Sequence, residues 1–307
     1  MSRCWLNLAL AGALVMALPM PALAVQAIED HLPQFITAIG DGSVDYWMAF
    51  EAANSMELNG IFYRDRSPSQ KAVLSRAALG HYVPVRQLIT FANRWRADFE
   101  WVAERLEGLS GRLPYITASM WYTYDTRPYV YVDAGGKQVL GLNARMFLPY
   151  EPIKTRMMFC DAFFNTFQLQ HTHDMAEHLT LGRRVQIEGL KMAVQMRGVP
   201  NLPAYSYLHV SASTLAAWQR NQKSIARAMM KSIDAPESAN AMERFFGRGW
   251  GDPWPAGAGK YVAYMLAVGA AREHNPLELV GMPSRDYMFV VRPALEDMAR
   301  VQEGLSP

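Results

Sequence analysis

The sequence predicts an α+β fold, predominantly helical, with one small antiparallel sheet at about 114–147 preceding a central helix pair. Three observations predict it. Apolar residues recur at three-to-four spacing along most of the chain, as in Leu88, Phe91, Trp95, Phe99, Val102 and Leu106. Between Pro114 and Phe147 that period gives way to runs rich in β-formers, punctuated by Gly135-Gly136. With 307 residues, 50% of them apolar, and no internal repeat or low-complexity linker, the chain can bury one sizeable core.

Residues 1–24 read as a secretory signal. Met1-Ser-Arg3 is a short basic start, Leu6–Leu18 an apolar run, and Pro19 and Pro21 lead into the small-residue site Ala22-Leu23-Ala24. The run is shorter than the roughly 20 apolar residues that span a bilayer. Residues 25–307 are then a single domain that is periplasmic or secreted, with no transmembrane segment after cleavage. Cleavage removes Cys4 and leaves Cys160, so the mature chain has no internal disulfide. Flanked by Phe159 and Phe163-Phe164, Cys160 reads as a buried thiol.

The elements follow in order. Residues 26–39 form a short amphipathic helix, and Asp41-Gly42-Ser43 a turn. Asp45–Tyr63 is helical on the spacing of Trp47, Phe50, Met56, Leu58 and Phe62. Ser67-Pro68 supplies an N-cap and a first-turn proline for a helix that ends near Gly80. A longer helix runs from Pro84 through Leu106 to Gly108. Strands follow at Pro114–Tyr124, Tyr129–Val132 and Gln138–Phe147. Helix resumes at Pro152, passes Phe159, Phe163 and Phe167, enters a His-rich stretch and breaks at Gly182. Arg184–Arg197 is its partner. Residues 199–210 are irregular, 213–233 and 238–246 are helices, and 247–259 is a Gly-, Pro- and Trp-rich loop. Helices at 260–274 and 293–302 close the chain.

Charge narrows the function classes. The chain has 30 Lys+Arg against 28 Asp+Glu, a net +2, which leaves no footprint for nucleic acid. Of seven His, three fall in His171-Thr-His173-Asp174-Met-Ala-Glu177-His178. On a helix, His171, Asp174 and His178 share one face, and His173 and Glu177 the opposite one. Asp174 and His178 are an i,i+4 pair able to reach one ion. His171 and His178 are about 10.5 Å apart in rise, so a site needs a further ligand. Glu188, early in the next helix, can supply it. Mixed His/carboxylate ligation points to zinc, with Glu177 or Glu188 as general base for a bound water. The competing reading has no metal: a solvated face with pairs Asp174/His178 and His173/Glu177.

Several stretches resemble a known family. Asp45-Tyr-Trp47-Met-Ala-Phe50-Glu-Ala resembles an early helix with an aromatic-x-Ala-aromatic pattern. The strands of 115–147 resemble the edge-strand arrangement that precedes a His helix. Glu188-Gly189-Leu190 resembles a Glu-Gly-Leu/Ala motif, and Pro255-Ala-Gly257-Ala-Gly259-Lys-Tyr261-Val-Ala-Tyr264 a Gly/Tyr-rich helix start. Together they resemble the zincin-type metallopeptidases, in particular exported zinc-dependent proteases grouped under a domain of unknown function. The resemblance implies a zincin-like fold, Glu188 as third zinc ligand, and a peptide or protein substrate. The motif His-Glu-x-x-His is not present. The implied function is therefore either a metal-dependent peptidase with a site rebuilt from His171, Asp174, His178 and Glu188, or an inactive relative. The alternative is a non-catalytic cell-envelope protein that binds through its Tyr-rich sheet and its loop with Trp250 and Trp254.

Overall fold

A computed structural model of the chain describes residues 25–39, 45–79, 83–110, 116–134, 137–171, 180–233, 239–247 and 254–300. The signal segment, the turn at 41–43, Gly135-Gly136 and residues 248–253, with Trp250, lie outside the described residues.

The sheet departs most from expectation. It has four strands, β1 (Val25–Asp30), β2 (Ile116–Trp121), β3 (Tyr129–Ala134) and β4 (Lys137–Asn143), in the order β1-β2-β4-β3. β1 and β4 both run parallel to β2, and only β3 is antiparallel, against β4. The expected antiparallel meander is thus a mixed sheet. Residues 26–30, expected as the start of a helix, lie wholly in β1. Helical spacing does continue back from Phe35 through Leu32 to Ile28. The backbone groups along the open edge of β2 nevertheless need partners, and residues 25–30 supply them. His31 N extends the pairing to Met120 O at 3.0 Å. Asp30 then caps the next helix, accepting from Leu32 N at 3.0 Å, and also holds Trp95 Nε1 at 3.1 Å.

A polar tie explains why β3 lands beyond β4. Asn143, at the end of β4, donates to Asp125 O (2.9 Å) and Arg127 O (3.3 Å) and accepts from Thr123 N (3.2 Å). The fully buried Asp125 carboxylate takes bonds from Arg66 and Arg127, and Arg127 also donates to Phe62 O. Burial raises the Asp125 carboxyl, but the Arg127 bonds and the charges of Arg127 and Arg66 outweigh it and hold the pKa below the usual value. The segment 122–128 is thereby clamped across the end of β4, which carries β3 to the far side.

The helices are α1 (Leu32–Ile39), α2 (Asp45–Ala53), α3 (Ser55–Ile61), α4 (Pro68–Leu79), α5 (Val85–Ala92), α6 (Trp95–Ser110), α7 (Ala144–Phe147), α8 (Pro152–His171), α9 (Leu181–Gly198), α10 (Ala204–Tyr207), α11 (Ala212–Ser232), α12 (Ala239–Phe246), α13 (Gly259–Ala270), α14 (Pro276–Gly281) and α15 (Ser284–Ala299). Two expected helices are split. The first breaks at Asn54, whose Nδ2 bonds Phe50 O at 2.8 Å, and the second at Asn93-Arg94. The third predicted strand stops at Asn143, and 144–147 is a helical turn. At the start of α4, Ser67 and Gln70 form the reciprocal capping pair. Gly182 does not break a helix. It sits in the first turn of α9, which Thr180 caps by accepting from Arg183 N at 3.1 Å. The last helix begins at Ser284 and carries Pro293 inside it. Buried Tyr287, Met288, Val291 and Leu295 give it one apolar face across the proline.

One core joins the sheet to the helices. Phe99 packs on Phe159 and Phe163 (ring centroids 5.3 and 4.9 Å), and Met157, Met192, Met229 and Trp254 are buried in it. Cys160 is fully buried, as expected. α9 runs through the middle, between α8 and α13. Its Gly189 allows that approach, because a Cβ there would overlap Ala263 O. Among the described residues no helix is long and apolar enough to cross a membrane.

Candidate functional site

The helix pair forms as expected, but its described part presents a different set of side chains. Glu188, Lys191 and Gln195 recur at i, i+3 and i+7 and so share one face of α9. Across the seam, α8 presents Asp161. Lys191 Nζ lies 3.0 Å from Asp161 Oδ2, and Gln195 Nε2 donates to Oδ1 at 2.7 Å. Asp161 is 9% exposed and stands in an otherwise apolar stretch, Met157 to Phe164. Burial raises its pKa above the ordinary carboxylate value. Lys191 and Gln195 oppose the rise, and the neighbouring Glu188 adds to it.

The connection after α9 adds a histidine. Tyr207 pins this connection, donating to Val199 O (2.7 Å) and accepting from Leu202 N (3.0 Å). His209 is held in the left-handed region, at φ 54. Its Nδ1 is 3.2 Å from Lys154 Nζ and its Nε2 is 3.5 Å from Gln195 Nε2. An ammonium can only donate, so Nδ1 accepts and the ring is neutral. Partial burial first, then the charges of Lys154, Lys191 and Lys260, lowers its pKa to about 4. The β3–β4 pair leans on α8 through polar tips, with Tyr129 near enough to Asp161 to feel its charge. Asn165 Nδ2 donates to Tyr129 OH, and Gln170 reaches Gln138 and Tyr131 OH.

Of the predicted site residues, Asp174, Glu177 and His178 lie outside the described residues, as does the side chain of His171, the last residue of α8. Glu188 is described. It is partly buried, and its Oε1 accepts from Arg184 Nη2 at 2.7 Å, one turn earlier on α9. Its charge also acts on Asp161, whose pKa it raises. His171 stands ten residues further along α8, about 15 Å of rise. Among the described residues, no three His, Cys, Asp or Glu side chains are grouped to hold a metal ion.

Sequence reasoning missed Asp161, Lys191, Gln195 and His209. One signal for Asp161 was present: a lone carboxylate in the apolar run Met-Met-Phe-Cys-Asp-Ala-Phe-Phe needs a buried partner, and α9 carries Lys191 and Gln195 one turn apart. His209 had no such signal, because its place depends on how 199–211 folds back. Comparison of the chain with family models, with curated proteins and with solved structures finds no match.

Proposed function

We propose that this chain is an exported, zincin-like protein of the inactive kind, which binds a ligand or partner and does not hydrolyse peptides. One observation carries the reading: the Asp161–Lys191 pair, at 3.0 Å, ties α8 to α9 one turn from Glu188. A zinc peptidase helix presents two imidazoles and a carboxylate base at the spacing His-Glu-x-x-His. The stretch of α8 around Asp161 reads Cys160-Asp161-Ala-Phe-Phe164. Cys160 and Phe164 are buried and apolar in setting, and burial pushes the Cys160 thiol pKa well up, away from the thiolate a metal needs. Asp161 has one oxygen on an ammonium and the other on an amide. Glu188 carries Arg184. Two carboxylates, each with a cation at bonding distance, do not suit a zinc ion, which needs unpaired anionic or neutral donors. Zinc bound instead by His171, Asp174 and His178, with Glu177 as base, is the competing outcome.

A peptidase assay separates the two. Protein purified after export is incubated with a mixed peptide library and added zinc. The proposal predicts a product spectrum identical to that of a buffer blank. Cleavage that disappears in Glu188→Ala or His178→Ala would establish the metallopeptidase reading instead.

A further inference from the structure

We infer that a cavity between α5 and the turn entering α8 binds a small aromatic carboxylate. This site is independent of the α8/α9 seam and of the zincin-like reading. The cavity measures about 540 Å³ and is lined by residues including Arg86, Phe91, Arg94, Leu148, Tyr150 and Glu151. That volume falls within the roughly 300–1,000 Å³ of small-molecule sites. The walls divide by chemistry. Leu148 and the exposed Tyr150 ring, with buried Phe91 beneath, offer an apolar slot suited to a flat body. Arg86 and Arg94 offer two guanidinium groups against the single carboxylate of Glu151.

The Arg94 guanidinium is only partly satisfied by the protein, and Arg86 is exposed. Asp98 Oδ1 accepts from Arg156 Nε at 2.7 Å, and its Oδ2, which accepts no hydrogen bond, forms an ion pair with Arg94 Nη1 at 3.7 Å. Arg94 Nη1 is buried and makes no hydrogen bond, and Nη2 makes one long bond, to Tyr150 O at 3.3 Å. Arg86 has no acceptor for its guanidinium among the described residues. A guanidinium stays charged and carries five donors in a planar fork that matches a carboxylate. Arg94 Nη1 is directed at Asp98, so a ligand carboxylate at this end of the cavity would pair with the exposed Arg86 guanidinium and with Arg94 Nη2. Lys154, 5.8 Å above the Tyr150 ring, adds positive charge behind the apolar wall.

Calorimetric titration of the whole purified protein with benzoate tests this. Benzyl alcohol serves as the uncharged analogue, and inorganic phosphate as an anion without an apolar body. The inference predicts saturable one-to-one benzoate binding that weakens with added salt, with both comparison compounds at least about tenfold weaker. Arg86→Gln should weaken benzoate about tenfold or more without changing the melting temperature, because the Arg86 guanidinium makes no internal bond. Arg94→Gln should also weaken benzoate, but it lowers the melting temperature as well, because Arg94 pairs with Asp98 and donates to Tyr150 O, so Arg86 is the cleaner test. Four results would overturn the inference: no saturable benzoate binding, equal binding of benzyl alcohol, phosphate binding as tight as benzoate, or benzoate affinity unchanged in Arg86→Gln.

Discussion

Asp161 and Lys191 are not equally dependent on each other. The Asp161 side chain is 12% exposed and that of Lys191 is 32% exposed, so the ammonium keeps some water and the carboxylate almost none. Removing the lysine strands a buried charge, which costs about 3–5 kcal/mol. Lys191→Met should therefore destabilise the protein by that order in urea unfolding. Asp161→Asn should cost less, and the double variant should recover most of the loss of the single lysine variant. Additive losses would mean that the pair does not couple. His209 gives a pH signature. Its pKa in the fold, about 4, lies below the ordinary 6.5, so the fold favours the neutral ring. That contribution is complete above about pH 6.5 and is lost as the pH falls through about 4. His209→Asn tolerates the left-handed backbone and has no such titration. Its unfolding midpoint should fall less than that of the wild type between about pH 7 and pH 4. Parallel curves would show that His209 is not held neutral. For single residues the sequence was uneven. The burial of Cys160 could be read from its aromatic neighbours, and Asp161 could have been flagged as a charge in an apolar run. The neutral state of His209 could not, because it depends on Lys154, Lys191 and Lys260, which come from three different helices.

Between elements, the position of α9 depends on what Gly189 lacks. A methyl group there meets the backbone of α13 at Ala263, which cannot move without shifting the helix. Gly189→Ala should cost about 1–3 kcal/mol from overpacking. Gly269, on α13, has open space where a methyl group would stand, with nothing within 4 Å. Gly269→Ala should be neutral or stabilising by up to about 1 kcal/mol, from reduced chain entropy. Equal effects at the two sites, measured by chemical denaturation, would refute the close approach. The helices were largely visible in the apolar period, but their breaks were not. The pattern in residues 84–106 continues through Asn93-Arg94 because the face buried by Leu88 and Phe91 is taken up again by Trp95 and Phe99. Similarly, β1 was hidden because Ile28 is in helical phase with Leu32. Its strand state comes from the open edge of β2, a partner 90 residues away in sequence, as the Glu29–Ser119 register shows.

Across the fold, the tie at Asp125 decides where the edge strand lies and hence what covers α8. Asp125→Ala strips a buried carboxylate from Arg66 and Arg127 and frees 122–128. It should destabilise the protein by about 3–5 kcal/mol. Because the carboxyl pKa is held below its usual value, the wild type should also lose this stabilisation on acidification below the ordinary carboxylate range. The broad class, mostly helical with one small sheet, could be read from composition and period alone. The mixed strand order could not, since it rests on side-chain bonds from Asn143 and Asp125 that no periodicity encodes. At the candidate site, the sequence pointed to the α8/α9 pair and to Glu188 through the spacing of charged residues. It did not reveal that Lys191, one turn after Glu188, holds the carboxylate of Asp161. The proposed function turns on whether this seam carries an ion pair where a zinc peptidase carries its metal, and elemental analysis of the protein purified after export decides it. Zinc is expected far below one ion per chain, with no change in Glu188→Ala. One zinc per chain that falls in Glu188→Ala or His178→Ala would contradict the ion-pair reading.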